Sequence, residues 1–487
     1  TGGILTAIGI AFWIAVGVFD VSFGGKAEVP SVGILMMENL GKEDEEFWSS
    51  GMTADLITKV AGAGLIRVAP LDDILKLDKD LSIEEKAKKL RVKYILTHQF
   101  LIKDEGFDLW CKLENIETGV ALFSNKISEP MAMTTQMVGK LANDIVTSLK
   151  VETKQDVMKA PTNNAEAYEY YLKGKYKWKK RKTKEDIDIV RGLYKRAIEL
   201  DENLIKAKTS LAFTYFVLGD FNQANELYTS SLNKAEEIND SISIAWSLKG
   251  LGMVYGGSGE WEKEFDYINK AKIIFEEIGD KNGVAHSIHS LGNYYNSIGN
   301  YEAALENYKQ SLNINRMIGN QNSVTLLTIG FAYQYMGKLD SAYNYFNHLE
   351  NFYKEENNDF RLSIVYGSLG QIYLDKNNYQ KSIQYSNKSL EIINVIGSHP
   401  DAKLRTSTFL YLAQIKNGIT YDNNEFNNLI QENKDYWNNR GVPIFEDATL
   451  PYYIYQLLND TSYLETAYNQ VQEKADNLEP DVAAKFL

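Results

Sequence analysis

A short pattern recurs at nearly fixed spacing and sets the architecture of most of the chain. Leu211-Ala212-x-x-Tyr215, Leu251-Gly252-x-x-Tyr255, Leu291-Gly292-x-x-Tyr295, Ile329-Gly330-x-x-Tyr333 and Leu369-Gly370-x-x-Tyr373 follow one another at 40, 40, 38 and 40 residues. A period in that range marks a stack of like supersecondary units, and such stacks build extended binding surfaces.

Each copy continues beyond its anchors. Seven residues after the small anchor comes Gly219, Gly259, Gly299, Gly337 or Asn377. These residues tolerate positive φ, so they predict a tight turn that ends a first helix. Phe221, Trp261, Tyr301, Leu339 and Tyr379 follow the turn, then Ala224, Glu264, Ala304, Ala342 and Ser382. The small anchors Ala212, Gly252, Gly292, Gly330 and Gly370 let two helices cross closely. Tyr215, Tyr255, Tyr295, Tyr333, Tyr373 and the post-turn aromatics are expected to fill the gap beside them.

This pattern resembles the tetratricopeptide repeat, over roughly residues 165–400 and about six units. The period exceeds the family's usual ~34 residues. Polar insertions such as Glu237-Ile238-Asn239-Asp240 and Ile278-Gly279-Asp280 suggest a longer second helix. A unit of ordinary length opens the array, with Tyr171–Trp178 leading through a basic stretch, Lys175–Lys184, into Tyr194–Asp201. Residues 401–487 read as degenerate capping helices.

Composition excludes several classes. A chain of 487 residues is too long for one core. A net charge of −13 argues against a phosphate-binding nucleic-acid surface. The lone Cys111 excludes an internal disulfide and a cysteine zinc site. His286 and His289, three residues apart on one helix, could share a metal, yet no third ligand stands near them in sequence; no metal and no cofactor is expected. No phosphate-binding Gly-rich loop with Lys-Ser/Thr, no G-x-S-x-G and no H-E-x-x-H occurs, so no catalytic residue is assigned.

Gly2–Phe19 carries no charge, and at about 18 residues it reaches the length of a membrane span. A signal peptide fits poorly, since there is no basic start and no small-x-small cleavage site before Asp20. Residues 1–20 are therefore expected to form a transmembrane helix, with residues 3–19 in the membrane. Sparse positive charge after it favours an extracytoplasmic location for residues 20–487, on a single-pass inner-membrane protein.

Residues 28–151 read differently, as a small α/β domain. Val32–Met37 and Leu65–Val68 read as strands, and Glu45–Val60 as a helix. Ser82 with Glu85 forms a capping box opening a helix to Leu90. Tyr94–Ile102 and Phe107–Ile116 flank a β-turn; Ala121–Ile127 is a further strand and Met131–Leu149 a closing helix. The segments Phe47–Thr58, Leu90–Leu96, Leu113–Gly119 and Ala167–Gly174 resemble TolB-N-like domains followed by tetratricopeptide repeats, with His98-Gln99 departing from that family in what would be a loop. The resemblance implies a membrane helix and, upstream of it, a class III adenylate/guanylate cyclase or a winged-helix regulator. A plain periplasmic scaffold is the alternative.

The expected fold is thus a transmembrane helix, a TolB-N-like α/β domain and an all-α superhelical repeat array. The expected function is binding of a protein or peptide in the array's groove, relayed through the α/β domain to an upstream effector; a homodimer is allowed. The groove residues flank the anchors on the first helices: Lys249 and Met253, with Gly256 beside them; His286, His289, Asn293 and Asn296; Gln334; and Gln371.

Overall fold

The computed structural model describes residues 29–318, 323–356, 358–396, 400–438, 448–476 and isolated positions beyond, less 65, 105, 154, 155 and 182. Residues 1–28, with the membrane helix expected over 1–20, lie outside the described residues. Among the described residues no helix is long and apolar enough to cross a membrane. The expected fold class is corrected accordingly, to a mostly helical repeat array with a small mixed sheet near its start. The expected single-pass inner-membrane location is corrected on the same finding, made of the described residues; the membrane contact expected through residues 3–19 lies outside them.

The sheet runs β3-β1-β4-β5-β6, where β1 is Ser31–Ile34, β3 Arg67–Val68, β4 Tyr94–Lys103, β5 Gly106–Asn115 and β6 Val120–Pro130; β2, Glu38–Asn39, also pairs with β4. β1 lies parallel to β3 and β4, while β4, β5 and β6 form an antiparallel meander. Alternation along β1 sorts the two faces. Val32 and Ile34 join a core with the helices Glu46–Gly62 and Thr134–Ser148. Gly33 faces the other way, where a Cβ would stand 2.8 Å from Ile95 and 2.9 Å from Leu90. That second face is covered by Leu71–Leu75 and by Ile83–Leu90, whose capping box joins Ser82 and Glu85. His98 and Gln99 sit inside strand β4 rather than in a loop.

Beyond residue 164 the helices pair into units. Unit 1 is Ala165–Lys180 with Lys184–Leu200, unit 2 Ile205–Val217 with Phe221–Glu237, and unit 3 Ser241–Gly257 with Trp261–Ile278. Unit 4 is Lys281–Ser297 with Tyr301–Met317, unit 5 Ser323–Tyr335 with Leu339–Glu355, and unit 6 Asp359–Asp375 with Tyr379–Ile396. Pro400–Lys416 with Asn423–Asn438 and Thr449–Leu458 with Thr461–Asp476 make units 7 and 8. The turn residues Gly219, Gly259, Gly299, Gly337 and Asn377 all have positive φ.

The added period is not a longer second helix alone. In unit 3 the first helix has 17 residues and the second 18. Asp240 and Asp280, read as part of that extension, instead cap the next helix: their side chains accept from the backbone N–H of Ser243 and Gly283. The basic stretch Lys175–Lys184, expected as the solvated loop between the two helices of this unit, lies largely on a helix, because the first helix of unit 1 runs to Lys180.

The sheet module and unit 1 share one core. Trp48, 2% exposed, packs 6.1 Å from Tyr168 and 5.7 Å from Phe107, ring centre to ring centre. Gly51 lets the two helices touch, since a Cβ there would stand 2.8 Å from Leu172. Beside them Asp55 is buried and accepts hydrogen bonds from Tyr168 Oη and Lys175 Nζ, both at 2.8 Å. Burial opposes the charge on Asp55, but Lys175, Lys206 and the two hydrogen bonds outweigh it and hold the carboxyl well below its usual range.

The array winds back on itself. The Glu46–Gly62 helix reaches the first helices of both unit 1 and unit 4. A helix touching first helices three units apart lies across the inner wall of the coil. Lys76 meets Glu356 of unit 5 at 2.6 Å, Lys159 meets Asp240 of unit 3 at 3.1 Å, and Tyr436 of unit 7 donates to the Leu218 carbonyl of unit 2 at 2.9 Å.

Candidate functional site

The small anchors work against a partner that the repeat reading missed. A Cβ on Gly292 would stand 2.5 Å from the Tyr308 ring; on Gly330, 2.9 Å from Phe346; on Gly252, 2.7 Å from Ile268; on Gly370, 2.6 Å from Ser386 Oγ. The partner always stands sixteen residues on, which puts Tyr228 in the same place opposite Ala212. The anchor tyrosines have their own recurring partner. Tyr255 stacks on Tyr267 at 5.2 Å, Tyr333 on Tyr345 at 5.7 Å and Tyr373 on Tyr385 at 5.5 Å. Tyr215 instead lies under the Arg191 guanidinium at 3.9 Å, and Tyr295 meets Phe265 edge-on at 6.4 Å. With second helices fixed this way, each first helix turns a constant stripe to the inner wall.

On that stripe, units 3 and 4 bring Lys249, Met253, His286 and His289 together. Lys249 Nζ contacts Met253 Sδ at 3.3 Å and stands 5.7 Å from the Trp246 ring centre. His286 packs edge-on to the same Trp246 at 5.5 Å. His289 Nδ1 lies 3.1 Å from Thr325 Oγ1, and its ring lies 5.3 Å from Tyr308. Tyr308 Oη donates to Asn293 at 2.9 Å, which ties the exposed Asn293 to the edge of the cluster.

Desolvation dominates the electrostatics. Burial lowers Lys249 to about 8, so it is still a cation at neutral pH. Burial, helped by the Lys249 charge, pushes His286 to about 3 and His289 to about 4, so both imidazoles are neutral. No ion pair of the described residues includes Lys249. Among the described residues no group of three or more His, Cys, Asp or Glu gathers that could hold a metal.

The other expected groove residues divide. Asn296 and Gln334 occupy the same register in units 4 and 5, each half-buried with one amide atom lacking a partner, Oδ1 and Nε2 respectively. Gln371 does not join the cluster: it hydrogen-bonds Tyr453 of unit 8. Sequence reasoning passed over Trp246, Tyr308 and Thr325, and also over Glu264. Glu264, 6% exposed, stands where other units carry Ala or Ser, and its carboxyl fills the space over Gly256. Burial pushes it up to about 8. The pairing of a glycine with a misplaced acid was visible in the aligned units.

Two sequence models of the tetratricopeptide repeat match the chain, one at residues 284–318 and one at 322–394. Those residues are tetratricopeptide repeats. No curated protein matches the chain. Among solved structures, NprR in complex with its cognate peptide NprX aligns at 18% identity over 59% of this chain and 84% of its own, with a TM-score of 0.42. A signal-transduction ATPase with a tetratricopeptide-repeat sensor, PH0952 from Pyrococcus horikoshii, aligns at 16% identity over 91% and 71%, with a TM-score of 0.40. TolB from Acinetobacter baumannii aligns at 14% identity over 25% and 29%, with a TM-score of 0.21. At these TM-scores the likenesses carry no argument of their own.

Proposed function

We propose that the array is a binding scaffold that takes a peptide or protein segment along the inner wall of units 3 to 5. The observation that carries this reading is the polar stripe on that wall. Lys249, His286, His289, Asn296 and Gln334 stand half-buried on successive first helices; Lys249 Nζ meets the Met253 thioether, and Asn296 Oδ1 and Gln334 Nε2 are buried without a partner. Groups held this way hydrogen-bond an incoming chain without first breaking internal bonds.

The sheet module is the proposed relay. Its Glu46–Gly62 helix touches unit 4 and shares a core with unit 1, so a ligand that changes the pitch between units shifts that helix. The TolB-N-like resemblance of this module belongs to the same proposal, as does an effector that the module would address. No catalysis is assigned to the residues considered.

The test is selection of peptides by the full chain from a random library, followed by binding to a variant with Lys249, His289, Asn293, Asn296 and Gln334 replaced by Ala. Selected peptides are expected to lose binding to the variant while its helical content is kept. Undiminished binding would place the ligand elsewhere and end the groove reading.

A further inference from the structure

Glu264 is a buried acid without a partner. It is 6% exposed, and its Oε2 is buried with no hydrogen bond in the protein. Among the described residues burial is the one influence on its carboxyl, and no lysine or arginine offsets it. An acid in such surroundings is normally paired. Elsewhere in the molecule the rule is followed. Asp55 has Lys175 at 2.8 Å, Glu350 has Lys354 at 2.6 Å and Asp108 has Lys103 at 2.6 Å. Tyr308 of unit 4 is close enough to feel the Glu264 charge, yet its hydroxyl donates to Asn293. Lys249 does not serve either: it precedes Gly256 by seven residues on one helix, about 10 Å along the axis.

The carboxyl is also aimed. Gly256 stands in the register of Asn296 and Gln334 on the inner stripe. A Cβ on it would lie 2.5 Å from Glu264 Cδ and 2.6 Å from both carboxyl oxygens. The acid of the second helix therefore occupies the place of a groove side chain of the first. Among units 2 to 6 this groove position is a glycine only in unit 3, and the column of Glu264 holds Ala224, Ala304, Ala342 and Ser382 elsewhere. The next position along the stripe adds a second bare acceptor, since Asn296 Oδ1 is also buried without a partner. Two orphaned oxygens call for a ligand that brings N–H donors.

We propose that Glu264, reached over Gly256, is the binding site for a cationic nitrogen of the bound peptide, either a basic side chain or the N-terminal ammonium. This inference rests on the groove reading and names the chemistry at one place in it. Without a ligand, burial keeps the carboxyl protonated at neutral pH. The arriving cation replaces that proton, which leaves to solvent, and the carboxylate stays to pair with the ligand. The groups that face the carboxyl across the unit boundary, Tyr294 and Tyr308, are both held above their ordinary values and remain neutral throughout. Rotation about the last side-chain torsion exchanges the two oxygens, so Oε2 meets the ligand without backbone movement. Asn296 Oδ1 accepts a further N–H.

The test uses the full chain at pH 7 and constant ionic strength, with methylguanidinium and methylammonium as probes. Tetramethylammonium, a cation with no N–H, is the control. The readout is the side-chain carboxyl carbon resonance of Glu264, identified by its loss in Glu264→Gln. A saturable movement from the protonated to the ionised position is expected with the N–H cations and absent with tetramethylammonium. No saturable movement, or an equal one with tetramethylammonium, would overturn the site. Selected peptides separate the site from the groove. Against the parent they should lose at least roughly tenfold in affinity when their basic residues become norleucine or when their N-terminus is acetylated, and the change responsible names the source of the nitrogen. Glu264→Ala restores the residue of the other units and so keeps the fold; against it the same change should cost nothing. Peptides that bind both proteins alike leave the groove standing and remove the site. A resonance that moves with methylguanidinium while no peptide is selected does the reverse.

Discussion

Glu264 is the residue at which this array departs furthest from its own pattern. In the folded protein its carboxyl is pushed up to about 8, from an ordinary 4.5. Below pH 4.5 it is protonated whether the chain is folded or not and has no pH-dependent effect. As the pH rises toward 8 the unfolded chain ionises first, so stability falls, by on the order of a few kcal/mol, and levels off above about 8. Glu264→Gln should flatten that decline in urea titrations run from pH 4.5 to 8.5; an unchanged slope would mean that the carboxyl is solvated. Asp55 behaves in the opposite sense, as its carboxyl is held low by Lys175 and Lys206. Asp55→Ala leaves Lys175 buried without its partner and should cost about 3–5 kcal/mol, much of it recovered in Asp55→Leu with Lys175→Met. A double variant no better than the single one would contradict the pairing. Neither acid stood out in sequence, where Asp55 lay inside the segment Phe47–Thr58 and Glu264 stood in a column with Ala224, Ala304, Ala342 and Ser382.

At the scale of the element, the crossing of two helices in one unit depends on Gly292. A side chain there meets Tyr308, so Gly292→Leu should overpack the central unit and cost roughly 1–3 kcal/mol. Damage at the centre of a stack separates its halves, so the thermal transition should broaden or divide. Gly192→Ala is the contrasting change: that glycine is helical with nothing within 4 Å of an added Cβ, and the variant should gain up to about 1 kcal/mol. Comparable losses at both positions would remove the helix-crossing account. The unit register was legible in sequence because turn, anchor and tyrosine recur at one period. The partners twelve and sixteen residues later were not noticed because their identity varies: Tyr228, Ile268, Tyr308, Phe346 and Ser386 share a place rather than a chemistry. The sheet strands were legible from alternation and the Ser82–Glu85 cap from its spacing. The short Leu71–Leu75 helix and β2 were not, since five and two residues are too few for a period to register.

For the whole molecule the decisive feature is that module and array are not beads on a string. Trp48→Ala should cost about 3–5 kcal/mol, and amides of β5 and of the Ala165–Lys180 helix should lose exchange protection together. Loss confined to the sheet would mean two separate cores. This long-range packing is what the sequence could not reveal, because contacts such as Lys76 with Glu356 and Tyr436 with Leu218 depend on how far the coil winds. The most direct measurement of the central claim is hydrogen exchange on the full chain with and without a peptide selected by it. Slowed exchange should fall on the first helices 241–257, 281–297 and 323–335, with a smaller change along the Glu46–Gly62 helix. Protection confined to the second helices, or to units 7 and 8, would contradict a ligand on the inner wall.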